Sequence, residues 1–317
     1  MKLFPDGDKL FEVISRYDDL LTLEARADYE PGDTLALIVP FLILHNITEA
    51  DITRLATKAR LTGGAAELVS RLQTGGWKTF CITTTYEQYA RHITQKLGIY
   101  THNVACTPFH LDKWRAALSP AESQLLQQAE QDILTLHPPT DDERIKQSLD
   151  NFYWQKLPTT EIGRAIREVK PVGGRRKVAA LNRFAGVQNQ PLSQWVVVGD
   201  SITDSKMLQT VDEAGGLAIA FNANEYALPY ATMSLASTFL NDLTEVLQAW
   251  QKGQRKEVEK MVKAKERIGG KDNRGYLHWL SGRPARQGSA GGKDIADVIA
   301  LHKRIRSLVR EEAGKLG

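Results

Sequence analysis

The sequence predicts an α/β protein: a doubly wound parallel sheet carrying a helical module on its N-terminal side and a basic helical extension at its C-terminal end. Three observations predict it. Apolar runs at 79–83, 195–199 and 217–221 each end in a polar or hydroxyl residue, and helical patterns separate them, as in parallel βαβ units. The run Trp195–Gly199 is unbroken and rich in β-branched residues, which reads as a strand buried on both faces. Finally, residues 250–317 carry 17 Lys or Arg against 8 Asp or Glu, within a chain whose total is 41 against 38. An acidic body with a basic tail suggests two functional parts.

In order along the chain, Lys9–Leu23 places Leu10, Val13, Ile14, Tyr17 and Leu21 on one helical face. Asp33-Thr34 caps a second apolar helix through Leu44, and Thr48 with Asp51 starts a third. Gly63-Gly64 opens a helix over Ala65–Gln73 and Gly75-Gly76 closes it; Trp77–Tyr86 then reads as a strand. Residues 109–168 read as helices broken at Pro120, Pro138-Pro139 and Pro158. A helix from Gly173-Gly174 runs through Phe184, the strand at 195–199 follows, and a helix over about 204–214 leads to Leu217–Phe221. Asn241 begins a long helix that turns basic after Lys252. The glycine-rich stretch 269–292 predicts a flexible linker, and Ile295–Leu316 a last amphipathic helix. The parts are a helical module at 1–62, an α/β core at 63–108 and 169–249, a helical insertion at 109–168 and the basic extension at 250–317.

The 317 residues suffice for a sizeable core. Two cysteines make no disulfide framework, so a cytoplasmic location is expected. Pro5, Asp6 and Asp8 interrupt the N-terminal apolar residues, so no signal peptide is expected there, and the apolar run Leu35–Leu44 is too short to span a bilayer.

The chemistry gathers at Gly199-Asp200-Ser201-Ile202-Thr203-Asp204. Ligands of open α/β sheets bind just outside the carboxyl ends of strands. Two carboxylates there suit Mg2+, which takes one or two carboxylates plus phosphate oxygens. The plainer reading is a strand that ends in a turn with capping aspartates. Thr83 at one strand end, Lys177 at a helix start and Asp200 with Asp204 at another strand end add a phosphate-binding pattern. The plainer readings there are a satisfied strand-end hydroxyl and a solvated lysine.

Taken together and in order, Thr83, Lys177 and Gly199-Asp200-x-x-x-Asp204 resemble the second, third and fourth motifs of the haloacid dehalogenase (HAD) superfamily. Gly215–Ala223 resembles the strand and loop that follow in its phosphoserine-phosphatase-like branch. The match covers roughly residues 63–86 and 170–245. The phrases Gly7–Asp19 and Gly32–Leu42 are closer still to the subgroup named for energy-converting hydrogenase A subunit R and related phosphatases. The resemblance implies a Rossmann-like core with a cap at 1–62 and Mg2+-dependent hydrolysis of a small phosphorylated metabolite. It also implies Asp200 and Asp204 as metal residues, Lys177 and Thr83 in catalysis, with Thr83 and the following backbone N–H donating to phosphate, and Thr84 binding substrate. Arg16, Tyr17, Tyr86, Glu87 and Asn222 are candidates to meet the substrate.

The first motif of that superfamily, an apolar strand ending in Asp-x-Asp, has one candidate, Asp6-Gly7-Asp8. Asp6 would be the nucleophile and Asp8 the acid. Only Met1–Phe4 precede it, Pro5 removes a ladder hydrogen bond, and Lys9-Leu10 replaces the usual small hydroxyl. The competing reading is a polar turn that caps the Lys9 helix. The subgroup carries the motif further upstream, so the sequence looks N-terminally short and impaired as an enzyme. Two other functions compete. One is a non-catalytic subunit of a larger complex that binds a protein partner through the basic extension. The other, ranked lower, is nucleic-acid binding, because the extension holds few aromatics and no reader motif.

Overall fold

The structure, a computed structural model, describes residues 3–114, 118–267, 272–281 and 295–314. The elements in order are α1 (Gly7–Leu23), α2 (Thr34–Leu37), α3 (Val39–Leu44), α4 (Glu49–Lys58), α5 (Ala65–Thr74), β1 (Cys81–Tyr86), α6 (Glu87–Lys96), β2 (Val104–Thr107), α7 (Pro120–Leu134), α8 (Asp142–Asn151), α9 (Glu161–Glu168), α10 (Arg175–Gln188), β3 (Val196–Gly199), α11 (Ser205–Glu213), β4 (Leu217–Phe221), β5 (Met233–Ala236), α12 (Leu243–Lys265), β6 (Tyr276–Trp279) and α13 (Ile295–Gly314). The protein is mixed α/β and helix-dominated, with small sheets. No single helix among the described residues is long and apolar enough to cross a membrane.

The chain divides into two compact units. The first comprises Met1–Lys58, Cys81–Gln95 and Val104–Gly173; the second comprises Ala59–Phe80, Lys96–Asn103 and Gly174–Gly317.

The first unit is a helical assembly with one apolar core. Leu10, Ile14, Tyr17 and Leu21 of α1 meet Phe41 and Leu42 of α3, Leu126 and Ile133 of α7, Ile145 and Leu149 of α8, and Ile162 of α9. The helix starts follow local chemistry. Thr48 and Asp51 exchange side-chain and backbone hydrogen bonds (2.9 and 3.1 Å) at the start of α4. Ser119 and Glu122 form a capping box around Pro120 at the start of α7. The single helix expected over 34–44 is divided at Ile38, because Pro40 lacks the N–H that would bond back to Ala36. Strands β1 and β2 pair in parallel in this unit.

In the second unit the strand order is β3-β4-β5-β6, with the first three parallel and β6 antiparallel to β5. Every residue of β4 is buried, whereas β3 is an edge strand, and Val198 is 40% exposed. Helix α11 packs on β3 and β4, α12 on β6 and α13 on β5.

Three sequence expectations need correction. The runs at 79–83, 195–199 and 217–221 do not share one doubly wound sheet: β1 pairs with β2, and β3 and β4 belong to another sheet. Strand β3 is not buried on both faces: Val197 is buried, while Val198 on the opposite face is exposed. Strand β6 lies inside the stretch expected as a linker, and its four residues are buried. Tyr276, Leu277, His278 and Trp279 bring enough apolar surface to complete the sheet despite the glycines around them. Within that stretch, 269–271 and 282–292 lie outside the described residues, as do residues 315–317.

Candidate functional site

In the second unit the apolar run Val196–Gly199 delivers the chain to a tight turn at the carboxyl end of β3. Ser201 caps the 3-10 turn Ile202–Asp204 in a capping box, which sends the Asp204 side chain back over the strand end. Its Oδ2 accepts from the backbone N–H groups of Asp200 (3.1 Å) and Ser201 (3.2 Å) and from the Ser201 hydroxyl (3.3 Å). Its Oδ1 accepts from Lys177 Nζ at 2.7 Å. The two charged side chains are only 6% and 5% exposed. A buried ion pair is worth having only when its geometry is good and its remaining lone pairs are satisfied, and here both conditions hold.

Two glycines permit this arrangement. A Cβ on Gly199 would lie 2.6 Å from Asp204 Cβ and 2.9 Å from its Cγ, so the aspartate can cross the strand end only above a glycine. Gly174, before α10, has φ 48 and ψ −121, a combination essentially confined to glycine. Its N–H donates to the Thr203 carbonyl at 3.0 Å. That bond ties the start of α10, where Lys177 sits, to the Asp200–Asp204 turn.

Asp200 differs from Asp204: its side chain is 54% exposed. Partial burial still pushes its carboxyl above the ordinary carboxylate value, and Asp204 adds to that, while Arg306 and Lys177 oppose it. Its carboxylate Oδ2 lies 3.2 Å from Arg306 on α13. The Arg306 guanidinium also donates to the main-chain carbonyls of Asp200 (2.6 Å) and Asn222 (3.1 Å). Asn222, with φ 46, ends β4. Its side chain exchanges hydrogen bonds with the Ser237 backbone, 2.8 and 2.9 Å, which makes it a brace between loops.

The turn thus presents one accessible carboxylate beside fixed cations. Among the described residues no group of three or more His, Cys, Asp or Glu could hold a metal ion. A divalent cation at Asp200 would therefore draw its other ligands from water or from substrate oxygens, the habit of Mg2+ rather than of zinc. The hard oxygen donor fits that ion, and Asp204 would act behind Asp200, through its backbone N–H, not as a direct ligand.

The remaining candidates belong to the first unit. Thr83 and Thr84 lie in β1. Thr83 Oγ1 accepts from the Thr85 N–H (3.3 Å), and Thr84 Oγ1 donates to the Val172 carbonyl (3.1 Å). Asp6 occupies the N-cap position of α1 with φ 52, its side chain making no cap hydrogen bond. It pairs with Lys9 at 3.0 Å, both well exposed, and Asp8 is an exposed residue of the first turn. Arg16 is clamped by Asp142 through two hydrogen bonds, 2.9 and 2.5 Å. Tyr17 is fully buried, donates to Asp150 and accepts from Trp154, and burial pushes its pKa up. Tyr86 stacks on Phe109 at 3.9 Å, and Glu87 accepts from the Phe109 N–H at 3.0 Å. Arg16, Tyr17, Tyr86 and Glu87 are therefore each engaged by internal partners. Sequence reasoning missed Ser201, Gly174 and Arg306. The first two sit inside or beside the recognised motifs, whereas Arg306 carries no signal beyond its place four residues after His302 on α13.

No family model matches the chain, and no curated protein matches it. Among solved structures the chain is similar to gene product AF1437 from Archaeoglobus fulgidus, with a TM-score of 0.80 and 26% identity over 100% of this chain and 92% of that one. Fold and site together define a mixed α/β protein with a carboxylate turn at the edge of its four-stranded sheet. The archaeal product shares that fold, and its name carries no activity.

Proposed function

We propose that the protein is a HAD-type phosphomonoester hydrolase of a small phosphorylated metabolite, working in the cytoplasm, with Mg2+ held at Asp200. The observation that carries the reading is the division of labour between two aspartates four residues apart. Asp204 is saturated by Lys177 and two backbone amides, and Asp200 is left reaching solvent. A turn built only to end a strand has no need of a buried lysine to hold it. Bound Mg2+ would neutralise phosphate oxygens. The chain's own part is to hold the Asp200 carboxylate in place through the Asp204 brace and to keep a positive charge, Lys177, behind it. The roles of Thr83 and Thr84 as donors to phosphate rest on the sequence resemblance alone. Asp6 and Asp8 lie on an exposed helix start, with Asp6 paired to Lys9, a placement that does not favour either as the nucleophile.

A second reading, a non-catalytic subunit that keeps the fold as a scaffold, is favoured by that same placement of Asp6. One experiment separates the two. Mg2+ binding is measured by calorimetry, and aryl-phosphate hydrolysis is followed on the native chain and on Asp200→Asn and Asp6→Asn variants. The expected result is Mg2+ binding abolished by Asp200→Asn, with slow hydrolysis lost in the same variant. Robust turnover that disappears in Asp6→Asn would make Asp6 the nucleophile after all. Absence of both binding and turnover would leave the scaffold reading.

A further inference from the structure

We propose that α13 is a self-inhibitory latch: its Arg306 guanidinium and a divalent cation compete for Asp200, so that docking of the helix and loading of the site exclude one another. The proposal rests on the reading of Asp200 as the metal residue. Arg306 sits where that cation would, with one nitrogen 3.2 Å from Asp200 Oδ2 and donating to the carbonyls of Asp200 and Asn222. Those carbonyls lie at the carboxyl ends of the neighbouring parallel strands β3 and β4, where open α/β sheets hold their ligands. The guanidinium fills that crevice, and its charge meets the one accessible carboxylate of the turn. A divalent ion approaching the same carboxylate meets a fixed positive charge within a few ångströms, and both cannot be satisfied in so small a space.

The way α13 is held makes release practicable. Its apolar seam is Val298, Leu301 and Ile305; Leu301 and Ile305 form a small cluster with Ala236 and Tyr276, and Leu308 packs at its side. Segments held by few buried apolar contacts open at low cost. Between the seam and Arg306 lies His302, completely buried. Its Nδ1 accepts from the Ala223 N–H at 2.9 Å, and its Nε2 has no hydrogen-bond partner among the described residues. A buried polar atom left unmatched weakens the docked state, which suits a helix meant to leave. On the outer face Lys303 pairs with Glu225 at 2.8 Å, and Arg304 donates to Asn273 at 2.7 Å.

The test uses the full chain, with Mg2+ and Mn2+ as probes. Binding is read by calorimetry and by the electron-spin signal of free Mn2+; docking of α13 is read by hydrogen exchange of its backbone amides. Arg306→Gln should bind either ion at least tenfold more tightly than the native chain, and Arg306→Gln/Asp200→Asn should bind neither. In the native chain, saturating Mg2+ should raise exchange in α13 and leave β4 unchanged, a readout that needs no variant to fold. Equal affinity in the native chain and Arg306→Gln, or exchange in α13 indifferent to Mg2+, would overturn the latch while leaving Asp200 as the metal residue. No binding in any variant, Arg306→Gln included, would overturn the metal reading and the latch together.

Discussion

Replacing Gly199 with alanine tests the whole account of the turn. The new Cβ would stand 2.6 Å from Asp204 Cβ, 2.9 Å from its Cγ and 3.3 Å from Oδ2. Ordinary contact begins near 3.4 Å, so Asp204 must withdraw by roughly 1 Å, and over-filling of this kind costs about 1–3 kcal/mol. The withdrawal stretches two backbone hydrogen bonds that already measure 3.1 and 3.2 Å and loosens the 2.7 Å contact with Lys177. Hydrogen bonds to a charged group contribute about 1.5–3 kcal/mol each, and loss of one with weakening of the others brings the expected total to about 3–5 kcal/mol. Gly186 in α10 is the control, because a Cβ there meets nothing within 4 Å; Gly186→Ala should be neutral or stabilising by up to ~1 kcal/mol. The assay is urea denaturation together with hydrogen exchange of β3 and α10, since a chain with two units need not unfold in a single step. A Gly199→Ala cost below about 1 kcal/mol, well short of the over-filling and bond losses reckoned here, with Mg2+ binding unchanged, would refute the claim that the motif glycine exists to let Asp204 pass.

Other expectations follow from the same geometry. Lys177→Met leaves the Asp204 carboxylate buried without its cation and should cost about 3–5 kcal/mol in denaturation, with Lys177→Arg losing less; a loss within 1 kcal/mol would show the pair to be dispensable. Acid should act oppositely on the two units. Burial, helped by His278 and Arg306, depresses the His302 pKa to about 3 from 6.5. Above pH 6.5 native and opened forms are both neutral there, but between 6.5 and 3 only the opened form takes up the proton, so α13 loses up to ~1.4 kcal/mol of protection per pH unit as pH falls. Burial raises the Asp18 pKa to about 6 from 3.8, so the native first unit takes up its proton earlier, and α1 should gain protection as pH falls from 6 towards 3.8. Exchange at pH 7 and pH 5, corrected for intrinsic rates, checks both, and slopes of the same sign would refute the pair. Amides of β6 that pair with β5 should exchange as slowly as those of β5; rapid exchange there would return 276–279 to the status of a linker.

What the sequence made legible was local. The Thr48/Asp51 start of α4 and the β-branched run of β3 act within a few residues, and those elements formed where their own chemistry placed them, whereas Pro120, read as a break, is the first residue of α7 behind the Ser119 cap. Strand β5, Met-Ser-Leu-Ala, escaped because four small or flexible residues have no period and little β-propensity; partners on both sides make it a strand. The same limit hid the pairing of β1 with β2 and the edge position of β3, since hydrogen-bond partners across a sheet leave no trace in periodicity. At the site, the Gly-Asp-x-x-x-Asp spacing located the turn, but it could not say that Lys177 would pair with Asp204 or which aspartate would be buried. That was decided by the return of the chain over Gly199, a three-dimensional event.

The charge asymmetry is the instructive case. A surplus of cations after residue 250 reads as a surface for an outside partner. In the folded second unit many of these cations turn back on the acidic body. Arg255 meets Asp212 at 2.7 Å and also donates to the Gly216 carbonyl and the Ser281 hydroxyl. Lys265 pairs with Glu245, Arg274 with Asp242, Lys303 with Glu225 and Arg306 with Asp200. All five carboxylates come from residues 200–245, the segment that the charge count had set apart from the tail. The exposed pairs among them, such as Lys265 with Glu245, contribute only about 0–1 kcal/mol each, so they do not explain why the tail folds back; the burial of Trp250, Val258, Val262, Leu277 and Trp279 does that. What the pairs supply is register: they fix where α12, β6 and α13 come to rest, and the last of them brings a guanidinium to Asp200. An outside partner for these five cations would have to displace carboxylates already within reach, and for Arg306 that displacement is the event that would expose the site.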